Sequence, residues 1–144
     1  MRANVFMAAA LGATAALTAQ RAAARDVQYI PAPAVSAAFA KGMPLLEQEN
    51  YKIHASRRSE PGMVEIHEHD TDIIYVLEGT ATFVTGGTAH DTKTVAAGEV
   101  RGASVEGGVT YTLARGDVMV VPAGTPHWFK HVQGPFLYYV VKVN

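Results

Sequence analysis

The sequence contains no cysteine among its 144 residues. That absence excludes disulfides, thiolate metal sites, iron–sulfur clusters and a cysteine nucleophile. Charge is also scarce: Asp, Glu, Lys and Arg make up 17% of the chain, against roughly 25% in an average soluble protein. Twelve basic and thirteen acidic residues leave a formal charge of -1. A protein that tracks nucleic-acid phosphates carries a basic excess or a basic stripe, and neither is present, so no nucleic-acid partner is expected. Beyond the first segment there is no apolar run approaching the about 20 residues that span a bilayer.

Hydrophobic residues, by contrast, reach 49%, enough for a core and against a wholly disordered chain. At roughly 100–200 residues per domain the length suits a single domain. Residues 1–24 read MRANVFMAAALGATAALTAQRAAA. Arg2 supplies a positive start, Val5 to Ala19 is uncharged and small or apolar, and Ala22, Ala23 and Ala24 offer small residues to a signal peptidase. This predicts a secretory signal peptide cleaved near Ala24, hence a secreted or periplasmic protein with no membrane association after cleavage. An N-terminal arm is expected over 25–50 and a β-barrel over 51–144.

Within the arm, Pro33 suits the first turn of a short helix and Gly42 its end. Val35, Ala38 and Phe39 give that helix one small apolar face. After Pro44 the pattern changes to short alternating runs, at 51–58, 62–69, 72–78, 80–85, 99–105, 109–115, 117–122, 127–132 and 136–143. Gly, Pro and Asp punctuate them, with the longest irregular stretch at about 88–98. Some nine strands with short turns and no intervening helix predict an all-β sandwich or barrel. Gly79, Gly116 and Gly124 are read as turn positions at positive φ.

Four of the six histidines form two close pairs. His67 and His69 are separated by one residue, and alternate side chains of a strand share a face, so both imidazoles and Glu65 should point the same way. His127 and His131 should likewise share a face, with Phe129 between them. Two such pairs converging inside a barrel would make a metal site, because neutral imidazole is the commonest protein metal ligand. Histidines with carboxylates and open positions suit Fe, Mn, Ni or Zn. His54 and His90 read as surface residues. Trp128 is expected to face away from His127, and one of Tyr138 and Tyr139 to face inward.

These residues resemble the cupin superfamily, in particular its small single-domain, conserved-barrel members. The first cupin motif is a Gly, five residues, His-x-His, three or four residues, Glu, six residues and Gly; Gly62, His67, His69, Asp72 and Gly79 resemble it. The second is a Gly, five residues, Pro-x-Gly, two residues, His, three residues and Asn; Gly116, Pro122, Gly124, His127 and His131 resemble that. The resemblance implies a jelly-roll barrel, a double-stranded β-helix, with His67, His69, Asp72 and His127 as metal ligands. Four departures stand out. One residue is missing before His67, Asp72 replaces the family's Glu, only two residues separate His69 from Asp72, and His131 replaces the final Asn. Asp is one methylene shorter than Glu, so its carboxylate would fall about 1–1.5 Å short of a metal held at bond lengths near 2 Å unless the backbone shifts. A three-histidine site, or substitution by His131 or Glu65, stays open.

Such a centre implies a metal-dependent enzyme acting on a small molecule by dioxygenase, lyase or isomerase chemistry. Glu65, His131 and a tyrosine are the candidates for catalytic acid and base. An apolar wall with few polar groups is expected around the ligand. The absence of an obvious acid or base beyond the ligands keeps two other readings open: an exported protein that captures a small ligand or metal without catalysis, and a structural barrel with a vestigial site. The resemblance, with the need to cover strand edges, implies a homodimer.

Overall fold

The computed structural model describes residues 26–144, so the leader expected over 1–24 lies outside the described residues. The chain first forms helix α1 (Ala32–Lys41), entered through Pro31 and closed by Gly42 in the left-handed region, whose N–H donates to the Ala38 carbonyl. Ala38 is buried, and Phe39 meets the Tyr139 ring edge-on at 4.9 Å, as the expected apolar face requires. Among the described residues no helix is long and apolar enough to cross a membrane.

The rest is β-structure: β1 (Met43–Glu47), β2 (Tyr51–Arg58), β3 (Val64–His67), β4 (Thr71–Thr85), β5 (Thr88–His90), β6 (Lys93–Ala96), β7 (Glu99–Gly102), β8 (Ser104–Glu106), β9 (Val109–Ala114), β10 (Val118–Val121) and β11 (His127–Val143). All pairings are antiparallel. The long strands β4 and β11 form a central ribbon. One edge of β11 carries β2 and β3, followed by β7 and β6 beyond β3, while the free edge of β4 carries β10 and β9. The result is a curled antiparallel sheet. The 88–98 stretch, read as irregular, holds the short strands β5 and β6.

Two pairs of expected strands are each continuous, and glycine is the reason. β4 runs through Gly79 at φ +80°, where a Cβ would lie 2.6 Å from the Pro135 carbonyl oxygen and 2.9 Å from that of Gln133. Only glycine permits so close an approach of two backbones. The β4–β11 register slips beside it, between Gln133 and Leu137. The slip reverses which side chains face inward. In β4 the buried positions pass from Asp72, Ile74 and Val76 to Ala81 and Phe83; in β11 they pass from His127 and Phe129 to Phe136, Tyr138 and Val140. Each long strand thereby contributes inward side chains to both ends of the curl. Phe83, Phe129 and Phe136 make the aromatic centre of the core, with ring centroids 4.8 and 5.7 Å apart.

Candidate metal centre

The curl brings together groups that a flat sheet would keep apart. Asp72 and Thr85 lie near opposite ends of β4, about 40 Å apart if the strand were straight. His127 pairs with Thr85, yet its Nε2 is 3.8 Å from Asp72 Oδ2. The turn at Pro122–Thr125 fixes this meeting: the Gly124 N–H donates to the His67 carbonyl at 2.7 Å, and β11 then starts with His127 directly opposite Glu65 of β3.

Three ligand atoms, one each from Glu65, His67 and His127, lie within 4.8 Å of one another. His67 Nε2 is 3.5 Å from Glu65 Oε2 and 3.5 Å from Asp72 Oδ2. The His67 and His127 rings are 5.1 Å apart. Both imidazoles and Asp72 are buried.

The groups behind these four side chains follow from strand register. His67 stands opposite Glu99 and Glu65 opposite Arg101 in the β3–β7 pair, and Asp72 stands opposite Lys142 in the β4–β11 pair. Glu99 accordingly lies 2.9 Å from His67 Nδ1, and Arg101 bridges Glu99 at 3.0 Å and Glu65 at 3.7 Å. Lys142 Nζ donates to Asp72 at 2.7 Å. From β2, Arg58 donates to Glu65 at 2.6 Å and to the Tyr138 hydroxyl at 2.9 Å, and its guanidinium stacks over Phe129.

These contacts set protonation. Burial opposes a charge on Glu65, but His67, Arg58 and Arg101 outweigh it and hold its carboxyl well below the usual range. Burial likewise opposes a charge on Glu99, and His67 and Arg101 again outweigh it. Burial lowers the His127 pKa, so its ring is neutral. Its Nδ1 donates to the Thr125 carbonyl at 3.1 Å, which leaves the Nε2 lone pair directed at the cluster. Glu99 holds His67 Nδ1 in the same way; burial opposes a charge on this ring, but Glu65, Asp72 and Glu99 outweigh it and raise its pKa, so a cation would displace the Nε2 proton. The His67 Nε2 is buried without a hydrogen-bond partner among the described residues. A buried imidazole nitrogen without a partner, facing two carboxylates and a second imidazole nitrogen, has the donor chemistry of a divalent-cation site.

The Cupin family model matches residues 23–144. The chain belongs to the cupin family. Among solved structures, this cupin is similar to hydroquinone 1,2-dioxygenase from Sphingomonas sp. TTNP3, solved with 4-hydroxybenzoate bound, at 16% identity and TM-score 0.53 over 72% of this chain and 65% of that one. It is also similar to the cupin domain of Schizosaccharomyces pombe Cnp3, at 14% identity and TM-score 0.52 over 72% of this chain and 59% of that one. A third is a conserved protein with a double-stranded β-helix domain from Klebsiella pneumoniae, at 15% identity and TM-score 0.52 over 85% of this chain and 87% of that one. The chain spans less than two thirds of the length of the first two, and at these identities the likeness is one of fold. No curated protein sequence matches this cupin.

Of the residues singled out by sequence, the structure brings Glu65, His67, Asp72 and His127 together and leaves His69 and His131 outside. The expected shared face of His67 and His69 does not form, because β3 ends at His67 and the alternation ends with it. His69 is exposed and lies against Gly98, beside a separate groove. The expected shared face of His127 and His131 fails because the register slips between Phe129 and His131. His131 is exposed on the outer side with Thr82 and Thr112. Counted from the clustered side chains, the first motif runs Glu65, one residue, His67, four residues, Asp72, six residues, Gly79. The gap that looked short from His69 disappears in this register, with Glu65 in place of the first histidine.

Two further expectations need correction. The cavity, about 330 Å³, is not walled mainly by apolar groups: four carboxylates and four Lys or Arg side chains line it. His54, expected at the surface, is one of its lining residues, and its Nε2 is buried without a hydrogen-bond partner among the described residues. The signal for both was present in β2, where Lys52, His54, Ser56 and Arg58 alternate and so share one polar face. Tyr138 faces inward and Tyr139 outward, against Phe39.

Proposed function

We propose that this cupin is a metal-dependent enzyme acting on a small molecule, with Glu65, His67 and His127 as the residues that would hold a divalent cation and Asp72 beside them. The observation that carries the reading is the buried, unpartnered His67 Nε2 within 4.8 Å of ligand atoms of Glu65 and His127. Two imidazoles with one carboxylate, or two, form a donor set that suits iron or manganese better than an all-histidine set would. A cation held there supplies Lewis acidity toward a carbonyl or carboxylate oxygen, or dioxygen chemistry if it is redox-active, which is the common ground of dioxygenase, lyase and isomerase reactions.

The chain's own residues supply the remainder. Glu99 and the Thr125 carbonyl orient the two imidazoles, and Arg58 and Arg101 keep Glu65 ionised. Burial raises the Tyr138 pKa, so its phenol stays a neutral hydroxyl at the cavity wall. Glu65 is the one sequence-named acid–base candidate in the cluster, and ligation would compete with that role. The test is elemental analysis of protein purified without added metal, followed by turnover assays on small organic substrates. About one iron or manganese per chain with turnover supports the reading. Metal and ligand binding without turnover would favour a non-catalytic binding protein, and no metal in either wild-type or reconstituted protein would overturn it.

Export and pairing belong to the same proposal. The leader-like residues 1–24 support a secreted or periplasmic location, checked by the N-terminal mass of the mature chain. Ile73, Tyr75, Val118 and Val120 are exposed on the paired strands β4 and β10. They form an apolar outer stripe that supports a homodimer, checked by sedimentation.

A further inference from the structure

Lys52 and Lys142 occupy directly opposite positions in the β2–β11 pair, and both line the cavity. Like charges directly opposite on one sheet face destabilise it, so the pair needs negative charge nearby. Lys142 has Asp72 at 2.7 Å, which engages one of its three N–H groups. Lys52 has Asp70 at 3.7 Å, beyond hydrogen-bond reach, and stands opposite Glu47 of β1 without an ion pair to it among the described residues. His54, two residues along β2 on the same face, presents the buried, unpartnered Nε2. The nearest carboxylate to that nitrogen, Glu47, is 3.7 Å away and largely exposed. The three side chains lie on one face of the β2–β11 pair and line the cavity together.

Charge balance over the whole cavity points the same way. Its four carboxylates and four Lys or Arg side chains offset one another. Arg58 and Arg101 are already engaged by Glu65 and Glu99. A divalent cation at Glu65, His67 and His127 would leave an excess of two positive charges among the lining side chains, or one with Asp70 beside Lys52 counted, and an anionic ligand would offset it.

We propose that the Lys52–His54–Lys142 corner is an anion subsite that takes the carboxylate of a small organic acid, whose other end faces Glu65, His67 and His127. The proposal rests on the metal reading for that other end, while the subsite itself rests on the three side chains. Two ammonium groups and one imidazole can together hold the two oxygens of one carboxylate, and a cavity of about 330 Å³ has room for a small organic acid.

The test compares succinate with its neutral diamide, succinamide, by calorimetric titration and thermal shift on wild type, Lys52→Met and Lys52→Arg. Lys52 is the side chain to change because it is half-exposed and touches none of the clustered ligands, whereas removing Lys142 would leave Asp72 buried without its counter-charge. Wild type is expected to bind succinate at least about tenfold more tightly than succinamide. Lys52→Met should lose that preference and Lys52→Arg should keep it. Equal binding of acid and amide, a preference unchanged in Lys52→Met, or an equal response to inorganic phosphate would overturn the carboxylate subsite. Metal content is measured on the same samples, and the titration is repeated after chelation. Metal retained without an acid preference removes the subsite alone. A Lys52-dependent preference in wild-type protein that holds no metal supports the subsite and removes the metal reading.

Discussion

Phe129 stands at a boundary inside the curled sheet. On one side it packs against Phe83 and Phe136; on the other it faces the cavity, with the Arg58 guanidinium 4.4 Å from its ring centroid. The two sides differ in what their burial does. A buried phenylalanine stabilises the fold by about 1.5–3 kcal/mol through water exclusion. Buried ion pairs such as Arg58–Glu65 and Lys142–Asp72 at best roughly offset their desolvation, and apolar replacements are often as stable. Folding therefore explains the aromatic side and does not explain the charged one. The proposed ligand-binding task would, because it needs unpaired donors and fixed charge where a core needs neither.

The comparison breaks first at the aromatic side if burial there is not what holds the sheet. Phe83→Ala, at a fully buried position, should cost about 3–5 kcal/mol in urea unfolding of the metal-free protein. A loss below about 1 kcal/mol would mean that the aromatic side tolerates a void and does not hold the sheet by burial.

The charged side should respond in the opposite sense. His127→Ala should reduce bound metal from about one per chain to under a tenth, by elemental analysis after dialysis, while destabilising the metal-free protein less than Phe83→Ala does. Full metal content in this variant would remove His127 from the centre. Glu99→Gln tests the support behind the ligands. It keeps the shape but lets the amide nitrogen turn toward His67 Nδ1, and should weaken metal binding by about 10–100-fold, the usual effect of losing a carboxylate that orients a metal-bound imidazole.

How much of this was legible in the sequence also divides between two kinds of residue. The positive φ of Gly79, Gly116 and Gly124 was legible, although Gly79 lies inside β4 and not at the expected turn, and with it the all-β curl and the helix closed by Gly42. Glu65, His67, Asp72 and His127 could each be singled out one by one. Grouping them correctly could not rest on alternation alone, because alternation holds only while a strand continues in register. β3 ends at His67, and β11 slips after Phe129. Both events depend on tertiary pairing, with β7 and β4 respectively. The polarity of the cavity was hidden for a related reason. Arg101 and Glu99 join it only because β7 pairs with β3, a contact between residues more than thirty positions apart.

The smallest expected effect is the one that most sharply tests this register. His69→Ala and His131→Ala should each leave metal affinity within about twofold of wild type, the scale of exposed substitutions remote from a site. His69 lies past the end of β3 against Gly98, and His131 lies on the outer side beside Thr82. The His69 variant carries the sharper information. Were it to lose metal as fully as His67→Ala, the segment after β3 would have to fold back over the cluster, moving His69 off Gly98 and displacing Glu65 from the ligand set. Affinity retained in His69→Ala and lost in Glu65→Ala excludes that arrangement, because it assigns the place beside His67 to Glu65 and leaves His69 without a part in the site.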